Sequence, residues 1–203
     1  MSTDSPPKLM TAEEFLKLPE RKTIDRWLIR GELVERKKMT YRSFRHCAVL
    51  TNLVFILATW LRSQSLIRAT LLSGDMGYRL RKNPDSVVGI DATIALESTP
   101  IYRQGRREIL DGPPLLAVEI TSLSDRQEDV DGKVEEYLRA KVPLVWIVNP
   151  TLKTIAVYRP DAEPQLFTLS SEMTAEPHLP GLRFKVADVF AKMPAVQGEE
   201  THG

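Results

Sequence analysis

The spacing of apolar residues changes along the chain and predicts a mixture of helices and strands. From Ser43 the apolar positions recur every three or four residues, which is typical of one broad face of a long packed helix. These positions are His46, Val49, Leu50, Leu53, Val54, Leu57, Ala58 and Leu61. A second helix is predicted by the same period and ends near Lys141, with a capping box of Ser124 and Gln127 at its start. The stripe of this second helix consists of Val130, Val134, Tyr137 and Leu138.

Short apolar runs separated by Gly, Pro, Asp or Asn predict strands between and after these helices. Residues 27–36 are predicted to form a hairpin that turns at Arg30 and Gly31. Near the start of the chain, Thr11 predicts the cap of a short helix through Leu18. The further predicted strands are residues 69–72, 77–80, 87–96, 115–120, 144–148, 154–158 and 165–169.

The order of these elements indicates an α/β fold of the mixed α+β kind, in which helices flank a central mixed β-sheet. The second helix would connect the strand at Glu119 to the strand at Leu144 as the crossover of a right-handed βαβ unit. A chain of 203 residues is long enough for one domain with a sizeable core. We expect this domain at residues 11–193, with flexible tails at 1–10 and 194–203.

Composition narrows the class of protein. The formal net charge is only +1, so any surface that binds nucleic acid must be local. Cys47 is the single cysteine, which excludes an internal disulfide and a cysteine-based zinc cluster and is typical of a reducing compartment. No apolar stretch approaches the length that spans a bilayer, and the start lacks the apolar core of a signal peptide. We expect a soluble, cytoplasmic protein that does not contact a membrane.

Two acidic residues, Asp91 and Glu119, stand inside apolar strands, although burying an unpaired carboxylate costs several kcal/mol. Each alone could equally well face water at a strand end or form a structural salt bridge. Together, on neighbouring strands, they could bind Mg²⁺, which prefers oxygen ligands, and Thr121 shares the face of Glu119. This chemistry suits phosphodiester hydrolysis, and Lys133 is the candidate cation for the developing negative charge. The alternative for Lys133 is an exposed ion pair with Asp129, one helical turn earlier.

Residues 117–150, AVEITSLSDRQEDVDGKVEEYLRAKVPLVWIVNP, resemble the Uma2 (Uma-two) family of restriction endonucleases. The similar features are an acid-bearing strand, a serine pair, an aspartate, a lysine-bearing helix and a closing strand, in this order. The resemblance extends to GELVE at 31–35, a His-led helix, the strand of Asp91, AVYRP at 156–160 and LPGLRFKVADVF at 179–190. It therefore covers most of the chain.

The resemblance implies a restriction-endonuclease-like core with a PD-(D/E)xK site. Asp91 and Glu119 would bind Mg²⁺, or Mn²⁺, and Lys133 would assist the attacking water or the transition state. The usual form of this site has a lysine two residues after the glutamate, where this chain has Thr121. Members of the family are similar to one another in supplying that lysine from the following helix, where Lys133 stands.

The resemblance also implies an auxiliary acid near the start of the core. Glu32 is the candidate, with a charged hairpin residue as the alternative, and Glu35 competes because sequence does not show which residue of GELVE faces the cleft. His46 matches a family histidine. We leave it outside the catalytic set, since a histidine on an apolar helix stripe is more often a satisfied core or cap residue.

The closing strand departs from the family pattern. Lys141, Leu144, Val145 and Asn149 stand where members commonly have a glycine, an acidic-aromatic pair and an aspartate. With Thr121, these departures motivate an alternative function, in which an inactive member acts as a nucleic-acid-binding or homo-oligomeric interaction module.

DNA is the expected substrate, RNA an alternative, and a homodimer is an expectation by analogy with enzymes that cut both strands. Contacts with phosphates would come from local basic clusters. These are Arg36 with Lys37 and Lys38, Arg42 with Arg45, Arg79 with Arg81 and Lys82, and Arg103 with Arg106 and Arg107.

Overall fold

Ten strands of the computed structural model, which describes residues 9–37, 41–122 and 125–192, form one mixed β-sheet. Two further strands in the described residues form a small second sheet. The elements are α1 (Ala12–Lys17), β1 (Ile24–Ile29), β2 (Glu32–Lys37), α2 (Phe44–Arg62), β3 (Ala69–Arg81), β4 (Ser86–Leu96), β5 (Ile101–Gln104), β6 (Arg107–Asp111), β7 (Leu116–Ile120), α3 (Gln127–Arg139), β8 (Leu144–Asn149), β9 (Thr154–Tyr158), β10 (Gln165–Phe167), β11 (Glu172–Ala175), β12 (Leu179–Lys185) and α4 (Val186–Val189).

The large sheet has the strand order β10-β9-β8-β7-β4-β3-β6-β5, and the β1–β2 hairpin joins it through β4. The β7–β8 and β3–β6 pairs are parallel, and the other pairs are antiparallel. Since α3 connects the parallel strands β7 and β8, the predicted β-α-β connection is present. The predicted mixed sheet flanked by helices is confirmed.

Local sequence signals account for the first elements. Thr11 caps α1 through a capping box, as its spacing to an acidic first turn predicts. Arg30 and Gly31 form the hairpin turn with φ of 51° and 80°, the left-handed conformations that such tight turns require. Ser43 caps α2, because its side chain accepts a hydrogen bond from the backbone N–H of His46.

The prediction of separate strands at 69–72 and 77–80 was wrong, since β3 runs continuously through both. The intervening residues Gly74 and Asp75 have φ of 94° and 59° and form a bulge instead of a turn. The antiparallel partner β4 pairs with β3 on both sides of this bulge, so long-range pairing overrides the local turn signal. The bulge lies opposite Asp91.

Other elements lacked a sequence prediction or differ from it. The β5–β6 hairpin lies at the sheet edge, where β5 alternates between exposed and half-buried residues and shows no apolar run. The second sheet and α4 were also not predicted as elements. The capping box was wrong in position: α3 starts at Gln127 with Arg126 as its N-cap and no side-chain cap hydrogen bond. Ser124 and the predicted tails, apart from residues 9 and 10, lie outside the described residues.

The expectation that no apolar stretch approaches the length that spans a bilayer does not hold for α2. By length and composition alone, α2 could cross a membrane. One face of α2, with Val49, Leu53 and Leu57, is fully buried in the same core cluster as residues of β4, β7 and β8.

The two faces of the sheet are covered by different helices. Leu116, Val118 and Ile120 of β7 belong to the core cluster on the α2 face, whereas Ala117 belongs to the cluster that includes Val134 of α3. Side chains alternate across a strand, so every second residue of β7 faces α3. Glu119 is the next residue on that face.

Candidate active site

Glu119 meets two side chains of α3. The Lys133 Nζ atom lies 3.0 Å from Glu119 Oε2, and the Tyr137 hydroxyl donates a short hydrogen bond to Glu119 Oε1. Lys133 and Tyr137 are four residues apart, so they lie on the same face of the helix. The β7–α3 packing therefore brings the predicted acid and the predicted lysine into direct contact.

Asp91 approaches the same place from the neighbouring strand β4. Its carboxylate is buried, and Oδ2 accepts a hydrogen bond of 2.8 Å from the backbone N–H of Ile120 on β7. On its other side, Oδ1 lies 3.5 Å from Nε2 of His46. Asp91, Glu119 and Lys133 all line one cleft of about 1310 Å³.

Burial and neighbouring charges shift the pKa values of both Asp91 and Lys133. Burial, followed by the charge of Glu119, raises the pKa of Asp91 to about 8, although the Ile120 N–H and Lys133 oppose this shift. Burial would lower the pKa of Lys133, but the charge and hydrogen bond of Glu119 outweigh it, so that pKa is raised. Lys133 is therefore a stable cation at neutral pH.

The neighbours of Lys133 decide between its two sequence interpretations. Asp129 forms a bidentate ion pair with Arg36 of β2, with both N–O distances 2.7 Å. Lys133 instead pairs with Glu119 and lies 5.6 Å from the ring centre of Trp27 on β1. Both contacts connect α3 to other elements. Lys133 therefore does not form the exposed ion pair with Asp129 that was the alternative interpretation.

The hairpin acids do not join the cluster. Glu32 is exposed at the start of β2, paired in register with Ile29, and is not among the residues that line the cleft. Glu35 also lies outside the lining, and its Oε1 accepts a hydrogen bond of 2.7 Å from Arg26. Neither Glu32 nor Glu35 thus lines the cleft that contains Asp91, where the auxiliary acid was predicted to lie.

His46, which the sequence analysis left outside the catalytic set, lies next to Asp91. Its side chain is buried and its Nδ1 atom has no hydrogen-bond partner among the described residues. Burial, followed by the charge of Arg42, lowers the pKa of His46. The first turn of α2 thus brings an imidazole with a lowered pKa against the buried acid.

Tyr137 and Trp27 are site residues that sequence reasoning missed. Tyr137 was assigned to the apolar stripe of α3, and Trp27 to a hairpin strand. A tyrosine one helical turn after the candidate lysine was an available signal, because its hydroxyl needs a partner when the ring is buried. Nothing local in the sequence places Trp27 over Lys133.

The basic clusters divide into two groups. Arg36, Lys37, Arg42, Arg45 and Arg107 line the cleft, and Lys38 lies outside the described residues. Arg79, Arg81, Lys82 and Arg103 do not line the cleft and instead form ion pairs. These pairs are Arg79 and Lys82 with Asp111, Arg81 with Glu136, and Arg103 with Glu108.

The positions that depart from the family pattern have structural roles outside the cleft lining. Lys141 has φ of 58° immediately after the C-cap of α3, a conformation that favours glycine. Leu144 and Val145 are buried in β8. Asn149 Oδ1 accepts hydrogen bonds from the backbone N–H groups of Thr151 and Leu152, which closes the turn after β8.

In the part of the chain that the structure describes, no group of three or more His, Cys, Asp or Glu side chains is arranged to hold a metal ion. The site instead offers the two carboxylates of Asp91 and Glu119. Magnesium usually binds one or two carboxylates together with waters and substrate phosphates, so a pair is a sufficient donor set.

Comparison with known proteins identifies the family. No curated protein matches the sequence. A crystal structure described as "a putative nuclease belonging to DUF820", from Anabaena variabilis, is similar in fold, with a TM-score of 0.71 and 23% identity over 89% of this chain and 97% of that one. The family model Uma2, described as "Putative restriction endonuclease", matches residues 12–187. The chain therefore belongs to the Uma2 family.

Proposed function

We propose that this protein is a magnesium-dependent DNA endonuclease that hydrolyses phosphodiester bonds at the Asp91–Glu119–Lys133 cluster. The observation that carries the proposal is that two carboxylates and an ammonium from three separate elements line one cleft. Membership of a family described as restriction endonucleases supports a nuclease and favours DNA as the substrate.

The donor set fits a hard divalent cation such as Mg²⁺ or Mn²⁺. Asp91 and Glu119 offer carboxylate oxygens, and the charge of Glu119 contributes to the raised pKa of Asp91, to about 8. A cation between them would offset this like-charge repulsion. When bound, such an ion supplies Lewis-acid polarisation of the phosphate and lowers the pKa of a bound water.

The side chains of α3 have complementary roles in the proposed reaction. Hydrolysis forms a bond from the water oxygen to phosphorus and breaks the phosphorus–oxygen bond to the leaving strand. Lys133 keeps its proton because Glu119 raises its pKa, so its ammonium can neutralise the negative charge that develops on the phosphate oxygens. Tyr137 holds the other oxygen of Glu119 and fixes the orientation of that carboxylate.

Magnesium titration by calorimetry, followed by cleavage of DNA, tests this proposal. We expect Asp91→Asn and Glu119→Gln to abolish both metal binding and cleavage. Lys133→Met should keep metal binding and reduce the cleavage rate by about 100-fold, since it removes only charge stabilisation. Glu135→Gln is the matched control on α3, because Glu135 pairs with Arg30 and Arg139 outside the cleft lining.

A second candidate function is favoured by one observation. Both oxygens of Glu119 already accept hydrogen bonds, from Lys133 and Tyr137. A closed cluster of this kind would suit a catalytically inactive member that binds nucleic acid or a second copy of itself. Wild-type protein that binds neither Mg²⁺ nor Mn²⁺, and cuts neither DNA nor RNA, would support this candidate and contradict the nuclease.

A further inference from the structure

Residues 41–46, YRSFRH, form a segment in which aromatic and cationic side chains alternate, and all six residues line the cleft. Tyr41 and Phe44 are 84% and 62% exposed. Neither ring is therefore buried in the core, although the burial of large apolar side chains favours folding. The segment presents two free aromatic faces to solvent at the cleft.

The segment leads directly to the proposed catalytic cluster. Its last residue, His46, has Nε2 at 3.5 Å from Asp91 Oδ1. Arg42 is exposed and forms an ion pair with Asp75 on the β3 bulge, with Nη2 at 3.1 Å from Oδ2, and the bulge lies opposite Asp91. A chain bound along residues 41–46 would therefore reach the carboxylates without leaving the cleft.

The charge of the cleft argues against a duplex as the preferred ligand. Among the described residues that line the cleft, cationic and acidic side chains are equal in number, so these residues create no broad basic field. Binding a duplex rests mainly on neutralising the phosphates of two strands. Binding of a single strand uses cations that track one backbone together with aromatic rings that stack on bases.

We infer that residues 41–46 bind unpaired nucleotides, with Tyr41 and Phe44 stacked on bases and Arg42 and Arg45 beside the phosphates, so that the preferred substrate is single-stranded DNA. This inference rests on the proposed function, because it names the substrate class of the same cleft. Only unpaired bases leave their faces open to an aromatic ring, since bases in a duplex stack on one another.

Fluorescence anisotropy in EDTA, where a metal-dependent nuclease cannot cut, tests the inference. The ligands are a labelled oligothymidylate and a labelled duplex, each of about 15 nucleotides or base pairs, a length close to one single-strand site. We expect the single strand to bind at least about tenfold more tightly than the duplex. Tyr41→Ala and Phe44→Ala should each weaken single-strand binding by about 5- to 150-fold, the range for one stacked base.

Matched variants separate stacking from a loss of fold. Tyr41→Phe and Phe44→Tyr keep the ring and should bind as the wild type does. Phe55→Ala removes a ring that is 71% exposed on the same helix but lies outside the cleft lining, and it should change nothing. Circular dichroism confirms that each variant folds.

Other results would overturn the inference. They are equal or tighter binding of the duplex, alanine variants that bind like the wild type, or a fall in molar mass of those variants by light scattering, which would assign the rings to a dimer contact. Single-strand binding that needs both rings, in a protein that never cleaves with Mg²⁺, would support the inference and reject the nuclease. Cleavage of duplex DNA that needs neither ring would do the reverse.

Discussion

At the residue scale, Asp91 has an unusual environment for a carboxyl group. Its carboxyl is buried, accepts one backbone hydrogen bond and faces the charge of Glu119. His46, Asp75 and Lys133 complete its surroundings. Such a group is costly to ionise without a nearby cation.

This environment predicts a specific dependence of stability on pH. The pKa of Asp91 rises from 3.8 to about 8 on folding, so the folded state binds this proton more tightly. The associated stability is fully present below the unfolded pKa and is lost as pH rises through the folded pKa. In EDTA, the unfolding free energy of the wild type minus that of Asp91→Asn should therefore fall between about pH 4 and pH 8 and then level off.

Urea denaturation of the two proteins across this pH range measures the difference. The comparison cancels the titration of groups that both proteins share. A difference that stays constant with pH would show that Asp91 ionises as it does in the unfolded chain.

At the element scale, α3 organises the site. One face carries Lys133 and Tyr137 to Glu119, while Arg36 anchors the start of the helix through Asp129. Its C-terminal end depends on Lys141, which adopts the left-handed conformation with φ of 58°. For a residue with a Cβ atom this conformation costs about 1–2 kcal/mol, partly offset by the greater freedom of glycine in the unfolded chain.

We therefore expect Lys141→Gly to raise the free energy of unfolding by up to about 1 kcal/mol, because it relieves backbone strain at the end of α3. Chemical denaturation provides the measurement. Ala140→Gly is the control at the preceding position, where φ is −77°, and should lower the unfolding free energy by about 0.5–1 kcal/mol. The same sign for both substitutions would contradict this explanation.

At the scale of the whole molecule, a buried carboxylate connects the parts that surround the cleft. Glu136 of α3 is 0% exposed; it accepts a hydrogen bond of 2.9 Å from Ser86 of β4 and one of 3.2 Å from Arg30 of the hairpin turn. Arg81 of β3 lies 3.5 Å away. This network fixes the hairpin, which carries Trp27, relative to the helix that carries Lys133.

Removing this connection should destabilise the fold. Glu136→Ala leaves the buried Ser86 hydroxyl without its acceptor and should lower the unfolding free energy by about 1–3 kcal/mol. The neighbouring Glu135→Ala removes an ion pair of Arg30 whose acid is 48% exposed, and should cost less than about 1 kcal/mol. Thermal denaturation of both variants measures the difference, and equal losses would show that the network does not matter.

Much of the architecture could be predicted from the sequence. Apolar periodicity predicted α2 and α3, and turn residues predicted the hairpin at Arg30 and Gly31, because these signals act over a few residues. The anomalous acids, Asp91 and Glu119, were visible because polar residues inside apolar strands are rare. Lys133 depended on the family resemblance, since its sequence neighbour Asp129 offered an equally simple partner.

The sequence by itself determined where three of the helices and several of the strands lie and which acids lie among apolar residues, since periodicity and turn chemistry are local. Only the tertiary structure decided which side chains meet. The position of Glu32 outside the cleft, the approach of His46 to Asp91 and the hydrogen bond from Tyr137 to Glu119 all depend on pairing between distant strands and on helix packing. Such contacts are set by the register of the sheet, and no short stretch of sequence encodes that register.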